Sequence, residues 1–556
     1  MVARARPGLL PGLVHESGIL DRWGLSDPPG LKYPSPAWSC FLETHHRPSA
    51  VRLTLLPGPL SPVVFLMGAL LMGCEATDAP ETGLPPGVAL EDPGLEWVVA
   101  LALAESRVEA NADTLLDRIG ARISALPSGD SAQAFVRRQL EAFGVDHVRE
   151  EPFDLLAWDR RQAALDVVVP AGEVPGPLNI LSLGHVGSHD LEAPLLDAGF
   201  GTAEEIEALG DRVAGTVVLV DVSSPPGYGR GVHRTEKVTL ATQAGAVGFI
   251  QVNDSEGPLV PVGVATMGDV ATEIPAVAAD HATGTRLREA LEVHGEVRVR
   301  LMVDNWMERT TAANVLGDLE GETDEVVLVG AHLDSWDLAT GALDNGSGSL
   351  AVLDMARTLA THVRASGERP RRTIRFAFWM GEELGLYGSR AHVDRRKEDG
   401  SLDRYVAVLN LDVVSAPVGL GAMGRTGPAP LLRQVREAAG EAGIELSEEF
   451  STGGGLYSDH QPFLLQGIPI VTLATRHRPE AAGTGHTIAD TREILDEPGI
   501  ARSAAVSSAL LWALANAPEL GAAMGMERWP EDEIGGHLDR LGVRDPLERG
   551  GEWRWP

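Results

Sequence analysis

The chain has 556 residues, 44% of them hydrophobic, enough for a large core and more than one domain. Its 46 basic residues against 79 acidic ones leave a formal charge of −33, and no basic footprint exists to meet the phosphates of a nucleic-acid partner. Two cysteines, Cys40 and Cys74, are too few for a disulfide framework.

Residues 1–50 show no periodicity and are rich in Pro, Arg and Gly. Val51 is compatible with a GTG start codon, in which case residues 1–50, and Cys40 with them, are not translated. From there "VRLTLLPGPLSPVVFLMGALLMGC" offers a basic Arg52, an apolar stretch and small Gly73 before Cys74. It resembles a bacterial lipoprotein signal (residues 51–74), whose cysteine is lipidated and becomes the mature N-terminus. The alternative is a transmembrane anchor, but Pro57, Pro59 and Pro62 break the run, which is short for a span. The expected location is the cell envelope, on the periplasmic side or at the outer membrane, held through Cys74. Residues 75–93, acidic and proline-rich, read as a flexible tether.

Helical patterns fill residues 96–150, in "EWVVALALAESRVEANADTLLDRIGARISAL" and "SAQAFVRRQLEAFGV". From 160 to 303 the texture changes to short strands and turns, with a helix-like "RTEKVTLATQAGA" among them. From 306 to 516 strands and helices alternate, the pattern of an α/β sandwich with a largely parallel sheet. The expected organisation is therefore one discontinuous domain, 94–159 with 304–516, a β-rich domain inserted at 160–303, and a polar tail, 517–556, of unreadable role. No internal repeat is present.

In open α/β sheets chemistry gathers at the carboxyl ends of strands. "EVVLVGA" delivers His332, and the crossover after it delivers Asp344, followed by Asn-Gly-Ser-Gly. "TIRFAFWMG" delivers Glu382 and Glu383, "YVAVLNL" delivers Asp412, and "IPIVTLAT" leads through a longer loop to His486 in "GTGHTIADT". Alone, His332 reads as a core histidine and Glu382–Glu383 as a solvated turn. In order, each after a strand, they form a donor set. Two imidazoles and three carboxylates without thiolate suit zinc or a similar divalent ion. Five ligands exceed what one catalytic zinc uses and fit two ions sharing a carboxylate, with Asp344 the natural bridge. Glu382 is then left as the base beside ligand Glu383. His185, His189, His392, His460 and His477 lack this placement and read as structural.

These segments, "GAHLDSWDLATGALDNGSG", "GEELGLYGS", "NLD", "SDHQPF" and "HTIADT", resemble the co-catalytic zinc aminopeptidase family, which includes bacterial leucyl-type aminopeptidases and carboxypeptidase Q (plasma glutamate carboxypeptidase). The middle of the chain is similar to the protease-associated domain inserted in many members. The resemblance spans about residues 94–516. It implies a three-layer αβα exopeptidase domain with a mostly parallel mixed sheet and an inserted β-rich protease-associated domain. It implies two zinc ions, one held by His332, Asp344 and Asp412, the other by Asp344, Glu383 and His486. Glu382 would serve as base and then as acid toward the leaving amine, and Asp334 would brace His332. Some relatives stabilise the oxyanion with a tyrosine; Tyr457 is near the site in sequence but not at the matching offset. The inserted domain is expected to shape access and to supply no metal ligand.

The leading function is an aminopeptidase or dipeptidase acting on peptides with a free amino end. A carboxypeptidase is the runner-up, although no Arg or Lys pocket for a terminal carboxylate is marked in the sequence. A receptor-like binding protein would have lost the ligands, which are all present here. Glutaminyl cyclisation with one zinc fits neither the two-metal set nor the inserted domain. Side-chain preference and oligomeric state are not written in the sequence.

Overall fold

Strand β8, Thr323–His332, runs "VVLVGAH" without an exposed residue, as a strand covered on both faces must. Its alternate residues enter different cores. Val327, Val329 and Ala331 pack on one side with helices Leu95–Ala104, Ser347–Ser366 and Glu497–Asn516, while Val326 and Leu328 pack on the other with Trp379, Phe463 and Trp529. Strand β9, Arg372–Trp379, splits the same way, with Ile374, Phe376 and Phe378 opposite Ala377 and Trp379. The result is a three-layer sandwich. Gly330 is required by a close approach, since a Cβ there would lie 2.4 Å from Trp379 Nε1.

This computed structural model describes residues 94–551 other than 173, 175 and 268. Cys40, Val51, the lipoprotein-like segment with Cys74 and the proposed tether lie outside the described residues. Among those described, no helix is long and apolar enough to cross a membrane.

The strands in chain order are β1 (Asp146–Val169), β2 (Ile180–Ser182), β3 (His189–Asp197), β4 (Val217–Asp221), β5 (Gly248–Val252), β6 (Ala276–Ala279), β7 (Arg298–Leu319), β8, β9, β10 (Tyr405–Asn410), β11 (Ala416–Ala422) and β12 (Ile470–Arg476). Their order is β11-β12-β10-β8-β9-β7-β3-β4-β5-β6-β2, with β1 pairing on β7. β12, β10, β8 and β9 are mutually parallel, flanked by antiparallel β11 on one side and β7 on the other. Parallel pairing aligns the carboxyl ends of β8, β9, β10 and β12, the edge where the candidate residues were read.

The inserted segment has its own core, built on parallel β3-β4-β5-β6 and including Val218, Phe249, Ile250 and Leu287. It is more helical than its sequence texture suggests, carrying helices Ala203–Leu209, Arg234–Gln243 and His281–His294. β1 and β7 form one long antiparallel ribbon that serves both cores. Residues 159–162 and 304–306, close to where texture changes in the sequence, lie opposite each other at a register shift in that ribbon. A bulge bends a ribbon without ending its hydrogen bonding, so the two cores stay continuous through it. The tail folds back: Trp529 is buried under Arg425, its N–H bonded to Gly467 O at 2.8 Å, and Arg549 reaches Glu236 of the inserted segment at 3.7 Å.

Candidate metal centre

His332 is the last residue of β8, Glu382 and Glu383 follow β9 by three and four residues, and Asp412 follows β10 by two. The crossover after His332 supplies Asp344, across a cis peptide to Asn345, and helix Ser347–Ser366 begins three residues on. Asn345 fastens this turn to the next strand end: its amide donates to Leu411 O at 2.9 Å and its Oδ1 accepts from Gly348 and Val413 N–H.

The six side chains meet in two groups joined by Asp344. His332 Nε2 lies 3.1 Å from Asp344 Oδ1 and 3.2 Å from Asp412 Oδ1. His486 Nε2 lies 3.0 Å from Asp344 Oδ2 and 3.2 Å from Glu383 Oε2. One carboxylate thus turns an oxygen to each imidazole. Glu382 Oε2 is farther out, 4.0 Å from His332 Nε2, although it too falls within a group with His332 and Asp412 able to hold an ion.

Both imidazoles are fixed through Nδ1, His332 by Asp334 O at 3.1 Å and His486 by Val262 O at 3.1 Å. With a proton held on Nδ1, it is Nε2 of each ring that faces the carboxylates and that a metal would take in place of a proton. Asp334 braces His332 with its backbone carbonyl; its carboxylate is 3.7 Å away and instead accepts the N–H groups of Glu382 and Glu383 at 3.3 and 3.4 Å. Among the described residues the inserted segment contributes no donor to the cluster, but through Val262 it orients one of the two histidines.

The electrostatics of the cluster suit a cation. Burial opposes charge on His332, yet Asp412, Glu382 and Asp344 hold its pKa well above the usual histidine value. Burial likewise opposes charge on His486, and Glu383 and Asp344 overcome it. Burial, then the charges of Asp412 and Glu383, push Glu382 well up, and burial with Asp344 raises Glu383. Asp344 goes the other way: burial works against its charge, but hydrogen bonds from both histidines keep it low. Glu383 Oε1 is buried without a hydrogen-bond partner among the described residues. Hard carboxylates and imidazoles crowded this closely, with an orphaned oxygen, fit divalent ions in nitrogen–oxygen coordination.

Several residues that the sequence reading passed over hold this geometry. Arg122, fully buried, donates to Leu333, Thr340 and Gly341 carbonyls at 2.7, 2.6 and 2.7 Å and so sets the loop leading to Asp344. Asp490, raised to about 6 by burial, accepts from Leu343 N–H at 2.6 Å and Asp344 N–H at 3.1 Å. Ser458 Oγ donates to Asp412 Oδ2 at 2.5 Å. Asp490 and Ser458 sit inside "HTIADT" and "SDHQPF", so their motifs were visible though their roles were not.

Tyr457 stacks flat on His233 of the inserted segment, with ring centroids 4.0 Å apart and planes 9° from parallel. Beside the cluster, a cleft of about 440 Å³ opens between Asp412, Met423, Gly454, His460, Ile470 and Leu473. Histidines 185 and 392 are away from the cluster, the first held by Leu156 and Thr266 carbonyls, the second by Glu151 and Tyr405.

Residues 314–511 match the model of Peptidase family M28, and residues 191–287 match the PA domain. Leucine aminopeptidase 2 of Trichophyton equinum is 31% identical over 271 residues, 46% of this chain and 50% of that protein. This chain therefore spans half the length of that curated relative. Carboxypeptidase Q of Mus musculus is 24% identical over 419 residues, covering 73% of this chain and 85% of the mouse protein. The fold is shared with BSAP, a zinc aminopeptidase from Bacillus subtilis, at a TM-score of 0.54 and 22% identity, covering 78% of this chain and 97% of that one.

Proposed function

We propose that this chain, whose site residues all fall within the peptidase family M28 match and which has a PA domain match before them, is a zinc-dependent exopeptidase that removes the N-terminal residue of peptides or dipeptides. The observation that carries the reading is Asp344, whose two oxygens address two different imidazoles. His332, Asp344 and Asp412 would hold one zinc ion, and Asp344, Glu383 and His486 a second. When bound, zinc supplies Lewis acidity and makes water a stronger acid.

The chain's own groups do the rest. Glu382 takes a proton from water and returns it to the leaving amine, a role for which its burial-raised pKa suits it. Asp334 fixes the backbone of the acidic pair, so the base and its neighbour cannot swap places. The 440 Å³ cleft with its apolar wall of Met423, Ile470 and Leu473 would take the side chain ahead of the scissile bond.

Amino-acid anilides and free dipeptides, assayed with and without a chelator, test the reading. Chelation should abolish hydrolysis, zinc should restore it, and metal analysis should give about two ions per chain. N-acetylated substrates should resist. The match along most of the mouse carboxypeptidase Q supports a second reading, which release of the C-terminal residue from N-blocked peptides would favour. Hydrolysis that survives chelation would refute both.

We also propose that the chain is anchored to the envelope through a lipidated Cys74, on the motif that ends there. A Cys74→Ala form should move from the membrane fraction to the soluble one; an unchanged distribution would refute the anchor.

A further inference from the structure

Seven non-glycine residues among those described have φ between +49° and +65°, the left-handed region that side chains disfavour. Four of them, His185, Leu386, Tyr457 and His486, meet at one short strip of the inserted segment, residues 262–267. Val262 grips His486 twice: its N–H donates to His486 O at 3.0 Å and its carbonyl accepts from His486 Nδ1 at 3.1 Å. Val264 and Met267 close over the buried Leu386, with Tyr457 packed against the three of them. His185 Nδ1 lies 3.3 Å from Thr266 O. The strip is in turn tied to its own segment, since Gly184 N–H donates to Gly263 O at 2.9 Å and Ala265 N–H to Gly184 O at 3.0 Å.

A bulky residue stays at positive φ only where its surroundings over-determine it. Leu386 shows what is being held. Glu382 O accepts the N–H groups of Gly385 and Leu386 at 2.8 and 2.9 Å, so Glu383 stands inside a turn that Leu386 closes. The side chain that keeps the turn closed is the one Val264 and Met267 cover. The strip therefore touches the carriers of both ligands that belong to the second proposed ion alone, Glu383 and His486. Ligands of the first ion alone are fixed from within the peptidase domain. His332 is held by Asp334 O, and Asp412 by Ser458, which Asn410 Nδ2 ties in place at 2.7 Å.

We propose that residues 262–267 of the inserted segment are a positioning strip for the second zinc ion, so that docking of the strip and binding of that ion are one coupled equilibrium. Val262, Val264 and Met267 reach no reacting atom; they act through His486 and through the turn that Leu386 closes. Coupling of this kind is reciprocal: what loosens the strip weakens the ion, and the ion tightens the strip by the same factor. The inference rests on the two-metal peptidase reading and gives the inserted segment a share in its metal affinity.

Zinc titration of the metal-free full chain against a chromophoric chelator yields two dissociation constants. Met267→Ala should raise one of them by about ten- to a hundredfold, the usual cost of losing a group that supports a metal ligand, and leave the other within about twofold. Met267→Leu keeps the volume and should restore the wild-type constants. Added to Glu383→Gln, which already lacks the second ion, Met267→Ala should change zinc binding no further. Hydrogen exchange at residues 262–267 of the wild type should slow with the second equivalent of zinc and change little with the first. Equal weakening of both constants by Met267→Ala, or of neither, would overturn the proposal, as would exchange in the strip that ignores zinc. Each of those results leaves the peptidase reading standing. A wild type that binds fewer than two zinc ions would instead sink the two-metal reading itself.

Discussion

Glu382→Gln should lower turnover by about 10²–10⁴-fold, the usual size of a general-base contribution, with zinc content and KM little changed. Glutamine keeps the shape of the side chain and the backbone bond from residue 382 to Asp334 Oδ1 at 3.3 Å, so the local fold has no reason to move. What it removes is the buried carboxylate placed to take the proton, one that burial holds well above the ordinary range. Its oxygen stands 4.0 Å from His332 Nε2, whereas Glu383 Oε2 stands 3.2 Å from His486 Nε2. Glu383→Gln should therefore behave differently and lose zinc together with activity. Metal analysis beside single-turnover rates reads the pair. Loss of zinc from Glu382→Gln, with Glu383→Gln retaining it, would reverse the two assignments.

The donors were legible because each stands just past an apolar strand, and parallel strands bring their carboxyl ends to one edge whatever the rest of the chain does. His332, Glu382, Glu383 and Asp412 needed no more than that. His486 lies ten residues past the end of β12 and was readable only through its motif. What escaped was everything that fixes those donors from a distance. Arg122 meets a loop more than 200 residues away, and nothing around it in the sequence marks a buried guanidinium. Val262 acts through its backbone, which carries no side-chain signal at all. The inserted segment looked like a cover over the site, yet its Val262 carbonyl holds His486 through Nδ1. The ribbon of β1 and β7 explains how this is possible: its pairing resumes past the register shift and so joins the two cores directly.

Asp344→Asn is the second decisive substitution, and its effect should exceed that of Glu382→Gln, with activity down by about 10⁴-fold or more because it removes both charge stabilisation and the positioning that a shared carboxylate provides. The reason lies in the symmetry of the residue. Asp344 presents Oδ1 to His332 at 3.1 Å and Oδ2 to His486 at 3.0 Å, and asparagine can offer an oxygen to only one of them. The other position becomes an NH₂ donor pointed at the place where a cation belongs. Zinc content should fall from about two per chain to one or fewer. The backbone should stay in place, because Asp490 holds the N–H groups of Leu343 and Asp344, and Asn345 ties the turn to Leu411. Circular dichroism of the metal-free protein should thus match the wild type, which separates loss of the bridge from loss of the fold. An Asp344→Asn protein that kept two zinc ions would show that each ion is held without a shared carboxylate, and the bridging role would have to be abandoned.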